Sequence, residues 1–176
     1  MNHDIALKTI AGLIALAAAV SDLRTHRIPN PLICTGTLLG LLFHAHADAL
    51  TGLLFSLKGL GVGLGIWLIP YALGAMGAGD VKLMAAVGAL LGARDVVHAS
   101  LYGALFGGMY ALGVFLWRKP YRERFGLMIA TFFRTGRFLY IPAAATDEKV
   151  RLCYAVALAA GTFTHLGLDA LGFRLF

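Results

Sequence analysis

Two aspartates carry the chemistry that this sequence could perform. Asp22 lies in "SDLRTHRIPNPL" (21–32) and Asp80 in "GAMGAGDVKLMAA" (74–86), each at the edge of a long apolar run. Ionisable groups in such runs are costly and mark functional positions by default. A short aspartate also reaches poorly to the interface, unlike a lysine. Each residue has a plainer reading, Asp22 as a carboxylate at a helix end and Asp80 as the cap that starts a helix. Taken together, in a chain with only 9 acidic residues, they suggest a pair. Two carboxylates sharing a site cannot both ionise readily, so one retains a proton near neutral pH. One member can then activate a water while the other protonates a developing oxyanion or a leaving amine. Titration would belong to the pair rather than to either residue.

The neighbours of Asp80 fit that use. Gly77 and Gly79 remove side chains beside the acid and are expected to leave room for an extended peptide, although close helix packing asks for the same residues. Lys82 could either snorkel to headgroups or bias the field at Asp80, whereas Lys58 is read as a snorkelling lysine. Cys34 and Cys153 both fall within apolar runs and no CxxC pair occurs. A zinc ribbon or a disulfide framework is therefore not supported, and both thiols are expected to be buried and inert.

Elements that could position these residues follow from composition. The 176 residues are 59% hydrophobic and only 14% charged, with a mean hydropathy of +0.78. That is too apolar for a soluble domain of this length. A helix needs about 20 apolar residues to cross the hydrocarbon core, and the charge-free windows 9–21, 28–47, 59–79, 96–117 and 152–168 meet or approach this. None alternates as the strands of a membrane barrel would. The expected fold is an all-α, polytopic membrane protein forming one domain over 1–176, with about six transmembrane helices. These are placed at Ile5–Ser21, Pro31–Ala47, Thr51–Leu73, Val81–Leu91, Val96–Trp117 and Val150–Leu168. Pro29 and Pro31 around Asn30 mark the turn before the second helix, and Pro70 predicts a kink in the third.

The net charge of +6 does not point to nucleic acid, because no basic stripe with interleaved aromatics stands on a soluble module. Basic residues instead collect in connections. Arg24 and Arg27 lie in 22–30, and Arg118, Lys119, Arg122, Arg124, Arg134, Arg137 and Lys149 lie in 118–149. The positive-inside rule then makes these connections cytoplasmic and puts both termini outside. Asp22 and Asp80 fall on the same, cytoplasmic, face, because two helices separate them. Segment 120–146 is read as an amphipathic cytoplasmic interfacial helix; were it a span, the last helix would reverse. Residues 10–20 resemble the apolar region of a signal peptide. Only Lys8 accompanies Asp4 ahead of it, and cleavage near residue 20 would leave Asp22 at a free end, so the segment is expected to be retained.

With these residues in view, "GAGDVKLMAAVGALLG" (77–92) resembles the GxGD signature of the type IV prepilin peptidases, and "SDLRTHRIPNPL" resembles their first motif. The similarity runs from about residue 10 to 117 and reappears at "RLCYAVALAAGT" (151–162). It implies an intramembrane aspartic endopeptidase of the inner membrane, with Asp22 and Asp80 catalytic and Gly77, Gly79 and Lys82 supporting the substrate site. The implied substrate is a prepilin, cut after a short basic leader that ends in glycine before a hydrophobic helix. No metal or organic cofactor is implied. The short chain resembles the branch serving Flp/Tad-type pili, and without a cysteine-rich insert N-methylation is not expected. One departure is visible: Cys153-Tyr154 replaces the usual Pro-Tyr, a change expected to straighten the last helix without touching the aspartates. Two readings from other classes remain open. A proton-coupled transporter would use the same acids, although residues 1–75 and 76–176 show no internal repeat, and a scaffold would tolerate Asp80→Asn.

Overall fold

A computed structural model of the chain describes residues 2–117 and 153–173. These form five helices and no strand. They are α1 (Asn2–Thr25), α2 (Asn30–Ala72), α3 (Ala78–Leu91), α4 (Ala93–Trp117) and α5 (Tyr154–Ala170). Residues 1–107 with 153–176 make one compact unit, which holds every contact discussed below. The second unit, 108–152, is described only for the last turns of α4, and the expected interfacial helix at 120–146 lies outside the described residues.

As a single straight rod, the 43 residues of α2 would run about 65 Å, twice the thickness of the hydrocarbon core. It is not straight. Asp48 (φ −134°, ψ 28°) and Ala49 (φ 46°, ψ −121°) leave the helical region, and Thr51 Oγ1 caps the turn by donating to the Asp48 carbonyl at 2.7 Å. A methyl at Gly52 would overlap the His44 carbonyl, so the chain reverses here. The two halves of α2 match the expected second and third helices. The dihedrals stay helical through Pro70, which lies in the last turn, so the kink expected there is replaced by the helix end at Ala72.

Three helical segments are long and apolar enough to cross a membrane: Asp4–Thr25, Asn30–Ala72 and Ala93–Trp117. The all-α membrane class therefore stands. With 14 and 17 residues, α3 and α5 are shorter than a typical crossing, although both coincide with expected helices.

The central element is α3, buried at every position from Asp80 to Leu91 except Lys82. Backbones approach it closely because glycines face each other. A methyl at Gly59 would overlap the Gly88 carbonyl, and one at Gly63 would meet the Met84 carbonyl. Buried polar groups tie the helices where no water is available. Ser56 Oγ donates to the Ala89 carbonyl at 2.7 Å, and Trp67 Nε1 donates to Ser100 Oγ at 3.0 Å. Gly92, at φ 91°, turns α3 into α4 with no further linker, and a side chain there would also strike the Phe55 ring. Large apolar residues such as Leu38, Leu42, Leu54, Ile69 and Leu105 point outward, as suits a lipid-facing surface.

Lys8 of α1 pairs with Asp169 near the end of α5, while the start of α5 lies beside the end of α1. The two helices are thus antiparallel. Gly107 of α4 packs on Tyr154 at the start of α5.

Candidate active site

Asp22 occupies the last turn of α1, and the loop after it is folded back on that turn. Ser21 Oγ donates to the Arg27 carbonyl at 2.9 Å, and Thr25 Oγ1 reaches the same carbonyl at 3.2 Å. His26 takes φ 49°, and its N–H closes on the Asp22 carbonyl at 2.8 Å. This sharp exit aims Ile28 inward. Pro29, extended at φ −63° and ψ 127°, then precedes α2, with Pro31 in its first turn, where the missing N–H costs nothing.

Ile28 lands on the start of α3. A methyl at Gly79 would sit 3.3 Å from Ile28 Cβ, tighter than ordinary contact, so Gly79 makes room for Ile28. The Ile-Pro-Asn segment and the Gly-x-Gly-Asp segment are therefore two sides of one contact. That contact draws the end of α1 to the start of α3.

Asp80 is the third residue of α3 rather than the cap. Gly77 is the cap, and its N–H donates to Asp80 Oδ2 at 3.1 Å while the Asp80 N–H reaches the Gly77 carbonyl at 3.2 Å. A carboxylate in the first turn also meets the positive end of the helix dipole. The plainer reading of Asp80 as a residue that starts a helix is thus correct in part. It does not exhaust the residue, because Asp80 is 7% exposed and lies within the field of Asp22, itself 8% exposed.

Asp22 is held from a third direction. The backbone N–H of Ala155, in the first turn of α5, points at its carboxylate, and the His26 side chain is close enough to act on its charge. Its Oδ2 is buried and has no hydrogen-bond partner among the described residues. Lys82 is exposed on α3, turned away from the buried face that carries Asp80.

The cysteine readings need correction. Cys34 is exposed on α2, not buried, because it sits on the outward face of an apolar helix. Cys153 immediately precedes α5, and its Sγ lies 3.4 Å from His26 Nδ1. It is half-buried rather than buried, and the carboxylates of Asp22 and Asp80 lie close enough to act on it. The Cys-Tyr departure therefore lies beside the aspartates, contrary to expectation. Residue types alone carried no sign of this; the antiparallel course of α5 along α1 is what brings Cys153 there.

Residues 9–112 match the type IV leader peptidase family. This chain belongs to that family. A similar relative is the prepilin leader peptidase/N-methyltransferase of Pectobacterium carotovorum subsp. carotovorum, 36% identical over 119 residues. The alignment covers 61% of this chain and 40% of that protein, so this leader peptidase family member spans well under half of its curated relative. No solved structure matches. The family match includes both aspartates and the loop contact between Ile28 and Gly79.

Proposed function

We propose that this chain is a prepilin leader peptidase of the aspartic type, with Asp22 and Asp80 as its catalytic pair. One observation carries the reading: two buried carboxylates from separate helices meet at one end of the bundle, with Asp80 in the field of Asp22. Such a pair has the components for peptide hydrolysis. The ionised member takes a proton from water as it attacks the scissile carbonyl, and the protonated member supplies a proton to the carbonyl oxygen or the departing amine. The unpartnered Oδ2 of Asp22 gives the pair an oxygen free to accept. The amides of Gly77 and Ala155 hold the two carboxylates in place.

The finer assignments belong to the same proposal. The substrate is a Flp-like type IV prepilin, whose extended leader passes the exposed backbone around Gly77 and whose hydrophobic helix lies in the bilayer. Gly77 borders that passage directly, Gly79 supports it by seating Ile28 beside the acid, and Lys82 supports it only through its charge on the exposed face of α3. Cleavage takes place at the cytoplasmic face of the inner membrane, in a six-span topology oriented by the basic connections. Cleavage alone is assigned to this chain; methyl transfer is not.

The test is co-expression of a candidate prepilin with the wild type, Asp22→Ala and Asp80→Ala, with the leader followed by a gel shift. Wild type converts the precursor, while both variants insert normally and leave it uncut. Conversion by either variant at the wild-type rate overturns the assignment of the pair.

A further inference from the structure

A second cluster of titratable groups sits at the other end of the bundle. Asp95 and His98 lie three residues apart on one face of α4, close to its start, and His165 faces them from α5. His165 is one turn from Asp169, whose ion pair with Lys8 marks the end opposite Asp22. One ligand atom from each of the three residues lies within 4.8 Å of the others. His98 and His165 are both 7% exposed, and their rings stack with centroids 5.5 Å apart.

Burying two imidazoles against a half-buried carboxylate calls for an explanation. His165 Nε2 is buried and makes no hydrogen bond among the described residues. It points at Asp95 Oδ1 at 3.6 Å, which is too long for a hydrogen bond. Ligand atoms about 2.0–2.2 Å from a zinc ion in tetrahedral array stand about 3.4 Å from one another. The gap between Asp95 and His165 is therefore close to the edge of such a tetrahedron.

We propose that Asp95, His98 and His165 bind a divalent transition-metal ion, zinc in the first instance. Two neutral imidazoles and one carboxylate suit this class, and three protein ligands leave a fourth position for water. Asp95, whose side chain is 30% exposed, lies at the open side of the site. The ion clamps the start of α4 to the end of α5. Backbones already approach closely there, since a methyl at Gly161 would overlap Gly103. Neither the family match nor the peptidase proposal requires this site, and its test does not read peptidase activity.

The experiment uses the full chain, purified in detergent without a histidine tag and stripped with a chelator. Cobalt(II) is titrated in as a spectroscopic probe, and zinc is then added in competition. The wild type should show saturable cobalt absorption at about one ion per chain, displaced by zinc. His165→Gln and Asp95→Asn should each weaken binding about 10-fold or more, while His46→Ala, on the exposed turn of α2, should leave it unchanged. Zinc should also raise the unfolding temperature of the wild type and not that of Asp95→Asn. Should His165→Gln fail to fold, the partly exposed Asp95→Asn decides the outcome. Absence of saturable cobalt binding by the wild type, or undiminished binding by Asp95→Asn, overturns the proposal.

Discussion

The two ends of this bundle each gather titratable groups, yet they are built in different ways. At one end Asp22 and Asp80 come from the tips of helices and are held by turn geometry. A folded-back loop, a proline-flanked entry and a glycine cap all serve to press Ile28 against Gly79. At the other end Asp95, His98 and His165 project from the faces of regular helices and meet because α4 packs on α5. Turn geometry demands particular residue types, so the first cluster leaves a motif. Helix-face packing accepts many sequences, so the second leaves almost none.

The largest expected effect separates the ends outright. Asp22→Asn and Asp80→Asn keep size and shape but remove the ability to exchange a proton. Each should lower prepilin processing by about 100-fold or more, while cobalt binding at the distal cluster stays at the wild-type level. Loss of both functions together would mean that the substitutions damage the bundle rather than the chemistry.

A second substitution should act on both ends. Gly59 touches the backbone of Gly88 on α3, and backbone cannot move aside as a flexible side chain can. Gly59→Ala should destabilise the chain by about 1–3 kcal/mol, read as a lower unfolding temperature in detergent. Because α3 carries Asp80 and leads through Gly92 into α4, processing and metal binding should fall in parallel. A drop in one function alone would show that the two ends are mechanically independent.

These differences explain how much could be read from the residues. The helical runs were legible because their periodless apolar composition admits only helices in lipid. The reversal at Asp48–Ala49 was marked by the polar stretch around His44 and His46, although nothing local announced positive φ at an alanine. Asp22 and Asp80 stood out because a carboxylate in such surroundings is costly. Their juxtaposition could be argued from topology alone, whereas its physical cause, Ile28 seated on Gly79, is tertiary. Cys153 and the cluster of Asp95, His98 and His165 were invisible for the same reason. Each depends on where α5 lies, and α5 reaches that place only after the long connection between 117 and 154.

Lys82 tests how far the acid end extends. It is two residues from Asp80 but exposed, on the one outward position of an otherwise buried stretch. An exposed charge is worth up to about 1 kcal/mol, so Lys82→Ala should slow processing about fivefold at most. Salt should mimic the effect by screening the same field. A loss as complete as that of Asp80→Asn would move Lys82 into the catalytic set.

The smallest effect is expected at Cys153, and it bears on what kind of site this is. A thiol close to a histidine could act as a nucleophile, and Sγ lies 3.4 Å from His26 Nδ1. The carboxylates of Asp22 and Asp80 oppose that role, because they lie close enough to repel the negative charge of a reactive thiolate. Cys153→Ser should therefore change processing by about twofold or less, and the serine variant should resist thiol-alkylating reagents no better than the wild type. A loss comparable to that of the aspartate variants would replace the carboxylate pair with a Cys–His centre at the same end of the bundle.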